Sequence, residues 1–232
     1  MIYKRLKYNA IKSRIKPKKW TRILLDEPCF ILGNGPSLID ENIHFLQEKY
    51  FTIGINSSCD LFDSTLLMWQ DIEFFYSKRK ILSSLKSILF CRDTSDPMNL
   101  AYHFSLEGGG FSLPRNASVL YGRGSTGPLA FQLAYILGCN PIVLLGFDCK
   151  SRDGKTDFYG INKFHKTHTM NSCKRGLKWL KDCQFERKII NCSDNLVFSE
   201  RSKLTDVVEE LKKDHPYRTR QYFNVKLIDE LE

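Results

Sequence analysis

The sequence predicts an α/β fold in which one doubly wound, mostly parallel sheet carries helices on both faces. Apolar strands alternate with helical segments along the chain, and strands such as Ile142-Val143-Leu144-Leu145 are apolar without interruption. Continuous apolar strands are typical of parallel sheets that are covered on both sides. A chain of 232 residues with 42% hydrophobic content can bury the full core of one domain. Together these observations indicate a Rossmann-like architecture.

The first half of the chain begins with the short strand Cys29-Phe30-Ile31-Leu32, which runs directly into Gly33-Asn34-Gly35-Pro36-Ser37-Leu38. The alternation of patterns then predicts the remaining elements in order. They are a strand at 28–33, a helix at 39–48, strands at 51–56 and 65–69, a helix at 72–84 and a strand at 87–92.

The second half continues the alternation after an irregular stretch, 93–116, which contains Gly108-Gly109-Gly110. The predicted elements are a strand at 117–121, a helix at 126–138, a strand at 141–147, a helix at 169–183, a strand at 187–192 and a helix at 202–212. The segments 93–116 and 148–168 exceed ordinary connection lengths, so we expect a lid-like insertion or an acceptor-binding subdomain there.

Positive charge is concentrated at the start of the chain, which carries a net charge of +9. The basic residues before Asp26 are Lys4, Arg5, Lys7, Lys12, Arg14, Lys16, Lys18, Lys19 and Arg22, and apolar residues from Ile2 to Trp20 are interleaved with them. We therefore predict a basic arm over 1–26, a folded domain over 27–214 and a polar, loosely packed tail over 215–232. Segment 1–22 is predicted to rest on an anionic membrane surface or to contact nucleic-acid phosphates, with a solvated arm as the alternative.

The first residues are basic but lack the uninterrupted apolar stretch and the small-residue cleavage site that are typical of a secretory signal, and no apolar run reaches the roughly 20 residues that a membrane-spanning helix needs. We expect a cytoplasmic protein, with peripheral attachment to the inner membrane through the basic arm. The eight cysteines include no C-x-x-C and no paired Cys/His spacing, which argues against structural zinc. Buried thiols in a reducing compartment are the favoured interpretation.

Two turns of the sequence predict a nucleotide site. Gly33 to Leu38 follows the first strand, and Gly124-Ser125-Thr126-Gly127 opens an apolar helix. Turns of this kind place backbone N–H groups and the positive end of a helix where a phosphate can bind. The spacing matches neither G-x-G-x-x-G nor G-x-x-x-x-G-K-[ST], so neither an ordinary dinucleotide site nor a P-loop is indicated.

Ligands of such sheets bind beyond the carboxyl ends of the strands, and these ends are polar throughout the chain. The polar residues are Asn34 and Ser37, Asn56-Ser57-Ser58, Gln70-Asp71, Arg123 to Thr126, Asp148, and Asn191 and Ser193. Each alone is also typical of a helix cap or a turn. We expect those that bind ligand to share one edge of the sheet.

Three segments resemble a superfamily that contains the single-domain bacterial CMP-sialic acid sialyltransferases, the Maf-type flagellin glycosyltransferases and the 6-hydroxymethylpterin pyrophosphokinase-like proteins. They are FILGNGPSL at 30–38, IGIN at 53–56 and GRGSTGPLAFQLAYILGCNPIVLLGFD at 122–148, within a resemblance that covers about 28–212. The resemblance implies a glycosyltransferase domain in which Asn34, Ser37 and Asn56 contact the nucleotide and its phosphate, and Ser125, Thr126 and Gly127 flank the donor sugar. Gly35 and Arg123 complete the predicted nucleotide-binding set, because backbone amides around 34–37 and the Arg123 side chain are suited to hold the leaving phosphate.

The same resemblance implies a general base, because the sialyltransferases have a histidine shortly before a helix that is rich in Leu and Trp. His165 and His168 stand in this position here. A neutral imidazole suits removal of a proton from a sugar hydroxyl near neutral pH. The residues Tyr159, Asn162 and Lys163 differ from the sialyltransferase pattern, and this leaves the donor open between CMP- and UDP-linked sugars.

The leading hypothesis is transfer of a sugar from a nucleotide-sugar donor to a glycan, lipooligosaccharide or capsule acceptor. The sequence lacks D-x-D, which favours a reaction that needs no metal and no further cofactor, whereas Asp71 and Asp148 are the candidate donor or Mg²⁺ contacts. The alternatives are a phage-type glycosyltransferase that acts on DNA bases, a Mg²⁺-dependent diphosphotransferase and a non-catalytic nucleotide- or nucleic-acid-binding module.

Overall fold

The computed structural model describes residues 16–108, 112–122, 124–162, 167–182, 186–195, 197–198 and 200–229. Its centre is one sheet of eight strands in the order β6-β5-β4-β3-β2-β1-β7-β8, and every neighbouring pair is parallel. The strands are β1 Cys29–Leu32, β2 Phe51–Ile55, β3 Leu66–Trp69, β4 Ile88–Arg92, β5 Tyr102–Glu107, β6 Val119–Tyr121, β7 Ile142–Leu145 and β8 Ile189–Asn191. The predicted fold class is confirmed.

Helices cover both faces of this sheet. They are α1 Ile72–Leu82, α2 Thr126–Leu137, α3 Thr167–Asp182, α4 Leu204–Asp214 and α5 Arg220–Asp229, with 3-10 turns at Pro36–Asp40, His44–Leu46 and Asn56–Asp60. Side chains of α2, α3 and α5 join one face of the sheet in a large apolar cluster, whereas α1 and α4 join clusters on the other face. Burial on both sides explains why the central strands β1 and β7 are apolar at every position.

Helix α2 is buried on almost all sides, which agrees with its apolar sequence TGPLAFQLAYIL. It ends at Gly138, whose left-handed φ of 92° lets the backbone leave the helix. The segment before β1 caps this end of the helix, because the N–H groups of Arg22 and Leu24 donate to the carbonyl oxygens of Ile136 and Leu137, both at 2.8 Å. The end of the helix is thereby hydrogen-bonded by the preceding chain.

Part of the predicted basic arm belongs to the core. Trp20 is fully buried, and its indole N–H donates to the carbonyl oxygen of Leu227 at 2.7 Å. Its ring also lies 5.6 Å from that of Phe90. The assignment of Trp20 to an amphipathic surface arm is therefore wrong, and residues 1–15 of that arm lie outside the described residues.

Three further predictions are corrected by the structure. The helix expected at 39–48 is replaced by two short 3-10 turns, Pro36–Asp40 and His44–Leu46. The irregular stretch 93–116 contains strand β5, which the sequence analysis missed. The tail after His215 is not loosely packed, since α5 buries Phe223 and Leu227 against the sheet.

The described cysteines are free thiols, and Cys29, Cys59, Cys91, Cys139 and Cys192 are buried. This agrees with the predicted reduced thiols. Within the ranges given above, no helix is long and apolar enough to cross a membrane.

The order of the strands places a topological switch point between β1 and β7. From β1 the chain proceeds outward through β2 to β6, and it then returns to add β7 on the opposite side of β1. Connections leave these two strands in opposite directions, which opens a crevice at their carboxyl ends. The residues that follow β1 and β7 therefore border the crevice in which a ligand is expected.

Candidate functional site

The turn after β1 is hydrogen-bonded to the end of β7. The N–H of Gly33 donates to Leu145 O and the N–H of Gly35 donates to Gly146 O, both at 2.7 Å. A Cβ atom on Gly33 would lie 2.4 Å from Gly146 O, so the approach of the two backbones requires glycine. The glycines of the GNGPS segment thus allow the first turn to reach the switch point.

Hydrogen bonds between Ser37 and Asp148 hold the turn after β1 in place. The backbone N–H of Ser37 donates to Asp148 Oδ2 at 2.7 Å, and its hydroxyl donates to Asp148 Oδ1. Asp148 also accepts the N–H of Asp194 at 3.1 Å. Burial raises the pKa of Asp148 above its ordinary value, while the bonds from Ser37 act in the opposite direction. Both side chains are buried, and their partners show that they position the turn.

The second predicted turn presents the start of α2. Ser125 is its N-cap residue and makes no side-chain capping bond, and Gly124 has a left-handed φ of 84°. A Cβ on Gly127 would lie 2.7 Å from the ring of Phe147, which follows β7. Glycine at 127 therefore allows the helix to begin beside the end of β7, with its positive end toward the crevice.

Asn56 follows β2 in an uncommon backbone conformation, with φ of 47°. The neighbouring Ser57 hydroxyl is hydrogen-bonded to Tyr159 of the 148–162 segment. Burial and the nearby Asp157 raise the pKa of Tyr159 to about 12, and the bond with Ser57 opposes this shift. That segment is also joined to the first turn, because the N–H of Phe158 donates to Asn34 O at 2.8 Å.

These elements enclose a cavity of about 880 Å³, large enough for a nucleotide-sized ligand. The main contributions to its wall come from the turn after β1, the ends of β2, β3 and β7, the start of α2, the segment 156–162 and α3. Of the predicted site residues, the wall contains Asn34, Gly35, Asn56, Asp71, Ser125, Thr126 and Gly127.

Three of these residues hold buried polar atoms that have no hydrogen-bond partner in the described part of the chain. The atoms are Asn34 Oδ1, Asn56 Oδ1 and Thr126 Oγ1. A buried polar atom without a partner is costly, and most such atoms in folded proteins are paired. Because all three residues line the same cavity, a polar ligand bound there is a candidate partner for these oxygens.

One end of the cavity is acidic. Asp71 lies there with Glu73 and with Asp60, whose carboxylate is 2.5 Å from Lys78 Nζ. Burial and the charge of Glu73 raise the pKa of Asp71, while Arg92 lowers it. Carboxylates accept hydrogen bonds from hydroxyl groups, so this end suits a ligand that is rich in hydroxyls.

The remaining predicted residues are distributed differently. Ser37 and Asp148 do not contribute to the cavity wall, although Asp148 borders a smaller groove of about 450 Å³ beside α3. Neither Asp71 nor Asp148 belongs to a described group of at least three Cys, His, Asp or Glu ligand atoms that could hold a metal. Arg123 and His165 lie outside the described residues, and for His168 the structure gives only a helical backbone in α3.

The sequence analysis missed several wall residues, among them Gln70, Glu73, Lys78, Cys149, Asp157 and Cys173. Gln70 directly follows β3, and the sequence analysis included it among the polar residues at strand ends without giving it a role. Cys149 and Cys173 are hydrogen-bonded to each other, and this contact, with burial, raises the pKa of the Cys149 thiol. Only the folded chain brings Cys173 of α3 to the end of β7.

No protein-family model and no curated protein matches the sequence. Among solved structures, the chain is similar to the MAf glycosyltransferase from Magnetospirillum magneticum AMB-1, with a TM-score of 0.59 and 17% identity over 93% of this chain. This chain spans 40% of the length of that protein.

Two sialyltransferase structures from Campylobacter jejuni are also similar. CstII in complex with cytidine-5'-monophosphate has a TM-score of 0.45 and 15% identity over 72% of this chain and 80% of that one. An apo α-2,3-sialyltransferase has a TM-score of 0.37 and 20% identity over 72% and 75%. The solved structures do not support the pterin pyrophosphokinase-like part of the resemblance, and the MAf comparison establishes a shared fold.

Proposed function

We propose that this chain is a glycosyltransferase that moves a sugar from a nucleotide-sugar donor to a glycan acceptor. The observation that carries the proposal is that Asn34, Asn56 and Thr126, each with a buried oxygen that has no described hydrogen-bond partner, all line the cavity at the switch point. The chain also shares its fold with a glycosyltransferase, and the assignment of the function rests on the site.

The leaving phosphate is assigned to the start of α2. Backbone N–H groups at Thr126 and Gly127 and the hydroxyls of Ser125 and Thr126 supply donors, and the helix end supplies positive potential. Such fixed donors stabilise charge that develops on a departing phosphate without rearrangement during the reaction. Arg123 stands immediately before this turn and is proposed as an additional phosphate contact.

Sugar and ribose hydroxyls are assigned to the acidic end of the cavity. Asp71 and Glu73 can accept hydrogen bonds there, whereas Lys78 is already paired with Asp60. This division places donor hydroxyls at the carboxylates and the phosphate at the helix end, which avoids juxtaposition of like charges. The proposal requires no metal ion.

The acceptor base is assigned to His165 or His168. Helix α3 contributes Met170, Ser172 and Cys173 to the cavity wall, so its first turn begins beside the site. A histidine here would take the proton of the acceptor hydroxyl as the acceptor oxygen bonds to the anomeric carbon of the sugar and the bond from that carbon to the donor phosphate breaks. The nucleotide then leaves as the second product.

The proposal is tested by nucleotide release from CMP-, UDP- and GDP-linked sugars, with and without glycan acceptors. We expect turnover with one donor class in the absence of Mg²⁺. The double variant His165→Ala/His168→Ala should lose turnover while it retains nucleotide affinity, and His215→Ala serves as the control. Unchanged turnover in the double variant would remove both histidines from the mechanism, and absence of turnover with every donor class would favour a binding module.

Single variants of cavity residues test whether the nucleotide binds at the assigned site. Asn34→Ala and Thr126→Val should each weaken nucleotide binding by about 1–3 kcal/mol, or about 5- to 150-fold, because each removes a ligand partner from a buried position. Asn42 is exposed, and Asn42→Ala is the matched control. Equal affinity in Asn34→Ala and Asn42→Ala would show that the nucleotide site lies elsewhere.

A further inference from the structure

A second cluster of chemically active side chains lies away from the cavity, between β4 and β5. Cys91 of β4 and His103 of β5 are register partners in adjacent parallel strands, so both side chains project from the same face of the sheet. Asp96 comes from the loop that joins these strands. All three residues are buried.

The geometry of the cluster matches a metal site. One ligand atom from each residue lies within 4.8 Å of the other two, and His103 Nε2 is 3.3 Å from Asp96 Oδ2. Zinc bonds of about 2.0–2.3 Å in tetrahedral geometry place neighbouring ligand atoms about 3.3–3.8 Å apart. The distance between His103 and Asp96 already lies in this range, and the Cys91 thiol, which is within 4.8 Å of both, would move closer by up to about 1 Å to hold an ion.

The imidazole of His103 gives an independent reason to expect a ligand. It is fully buried, and neither ring nitrogen makes a hydrogen bond to any described residue. Nε2 faces Asp96 Oδ2 at 3.3 Å without hydrogen-bond geometry and Nδ1 has no described partner, so the desolvation of the ring is only partly offset. A metal ion would provide the missing partner for one of them.

The carboxylate of Asp96 is already oriented for such a role. Its Oδ1 accepts the N–H of Met98 at 3.2 Å, and its Oδ2 accepts the N–H of Ala101 at 2.8 Å. Hydrogen bonds of this kind fix the orientation of a ligating carboxylate and leave lone pairs for the metal.

We propose that Cys91, Asp96 and His103 bind one zinc ion. Thiolate, imidazole and carboxylate are all zinc ligands, and the thiol gives up its proton when the metal binds. A small ligand such as water would complete the coordination. The residues are separated as C-x4-D-x6-H, so strand register, which the sequence spacing does not reveal, brings them together.

The bound ion would stabilise the part of the cavity wall that follows β3. The loop that carries Asp96 also holds the end of β3, because Ser95 O accepts the indole N–H of Trp69 at 3.0 Å and the Ser95 hydroxyl donates to Gln70 O. Gln70 and Asp71 belong to the cavity wall. Zinc would therefore stabilise the acidic end of the site without contacting the donor.

The test is elemental analysis of the full chain purified without chelators, followed by cobalt substitution. We expect about one zinc per wild-type chain and, after exchange, the intense visible bands and thiolate charge-transfer absorption of tetrahedral Co²⁺. His103→Gln should lose the zinc, and Cys91→Ser should lose the charge-transfer absorption. Because either variant could fail to fold, added Zn²⁺ should also raise the melting temperature of chelator-treated wild-type protein.

The thiol pair Cys149 and Cys173 provides the control for binding elsewhere. The double variant Cys149→Ser/Cys173→Ser should retain the zinc of the wild type. Loss of zinc in this variant with retention in His103→Gln would overturn the proposal, as would wild-type protein that neither contains zinc nor is stabilised by it.

Discussion

The hydrogen bond from the Ser37 hydroxyl to Asp148 can be removed with little change in shape by Ser37→Ala. Ser37 is 1% exposed, so water cannot readily replace the lost donor. Hydrogen bonds to charged groups contribute about 1.5–3 kcal/mol, and we expect a loss of this size in the free energy of unfolding. At roughly 2–4 °C per kcal/mol for a chain of this length, the melting temperature should fall by roughly 3–12 °C.

The assay is chemical denaturation of wild type, Ser37→Ala and the control Ser84→Ala. The Ser84 hydroxyl makes an exposed hydrogen bond to Ile81 O, so its removal should change the free energy of unfolding by at most about 0.5 kcal/mol. The pH dependence gives a further check, because the lost bond is to an ionised carboxylate whose pKa burial raises above 3.8. Loss of this bond raises the pKa of Asp148 further in the variant, so the effect of Ser37→Ala should be complete above the variant's folded-state pKa and shrink as the pH falls through it. Equal stability of Ser37→Ala and Ser84→Ala above that pKa would refute the positioning role.

Three other variants test the fold and the cavity. Gly33→Ala should lower the unfolding free energy by about 1–3 kcal/mol and weaken nucleotide binding, because its Cβ would meet Gly146 O at 2.4 Å. Gly108→Ala is the control, since the space around Gly108 is open, and it should change neither quantity in the same denaturation and titration experiments. Phe223→Ala should cost about 3–5 kcal/mol in denaturant unfolding, since this buried ring packs 5.4 Å from that of Phe51, and the exposed Val225→Ala should stay within about 0.5 kcal/mol. The folded-state pKa of Asp71 is raised above 3.8, so wild type should lose stability relative to Asp71→Asn as the pH rises from 3.8 through the folded-state pKa. A difference in melting temperature between the two proteins that stays constant from below pH 3.8 to neutral pH would contradict this.

The central part of the fold was predictable because its elements carry their signals locally. Uninterrupted apolar strands such as Ile142-Val143-Leu144-Leu145 require burial on both faces. The apolar helix α2 likewise requires burial on nearly all of its sides. The peripheral elements lacked such signals. Strand β5, with sequence YHFSLE, is only partly buried, and the polar sequence of α5 conceals the two apolar residues that anchor it.

The candidate site divides in the same way. Asn34, Asn56 and Thr126 were found because parallel strands end at one edge of the sheet, whatever their separation along the chain. Ser37 and Asp148 stand at equivalent sequence positions, but their hydrogen bond to each other turns them away from the cavity wall. The pairing of Cys91 with His103 depends on strand register, which the sequence pattern does not specify.

The direct test of the proposed nucleotide site is titration of wild-type protein, Asn34→Ala and Asn42→Ala with CMP, UDP, GDP, ADP and ATP, each with and without Mg²⁺, followed by thermal stability. Binding to the folded state alone raises the melting temperature. The proposal predicts a selective rise with CMP or UDP that needs no Mg²⁺, persists in Asn42→Ala and is reduced in Asn34→Ala. No rise with any nucleotide, or a rise only with ATP and Mg²⁺, would contradict it.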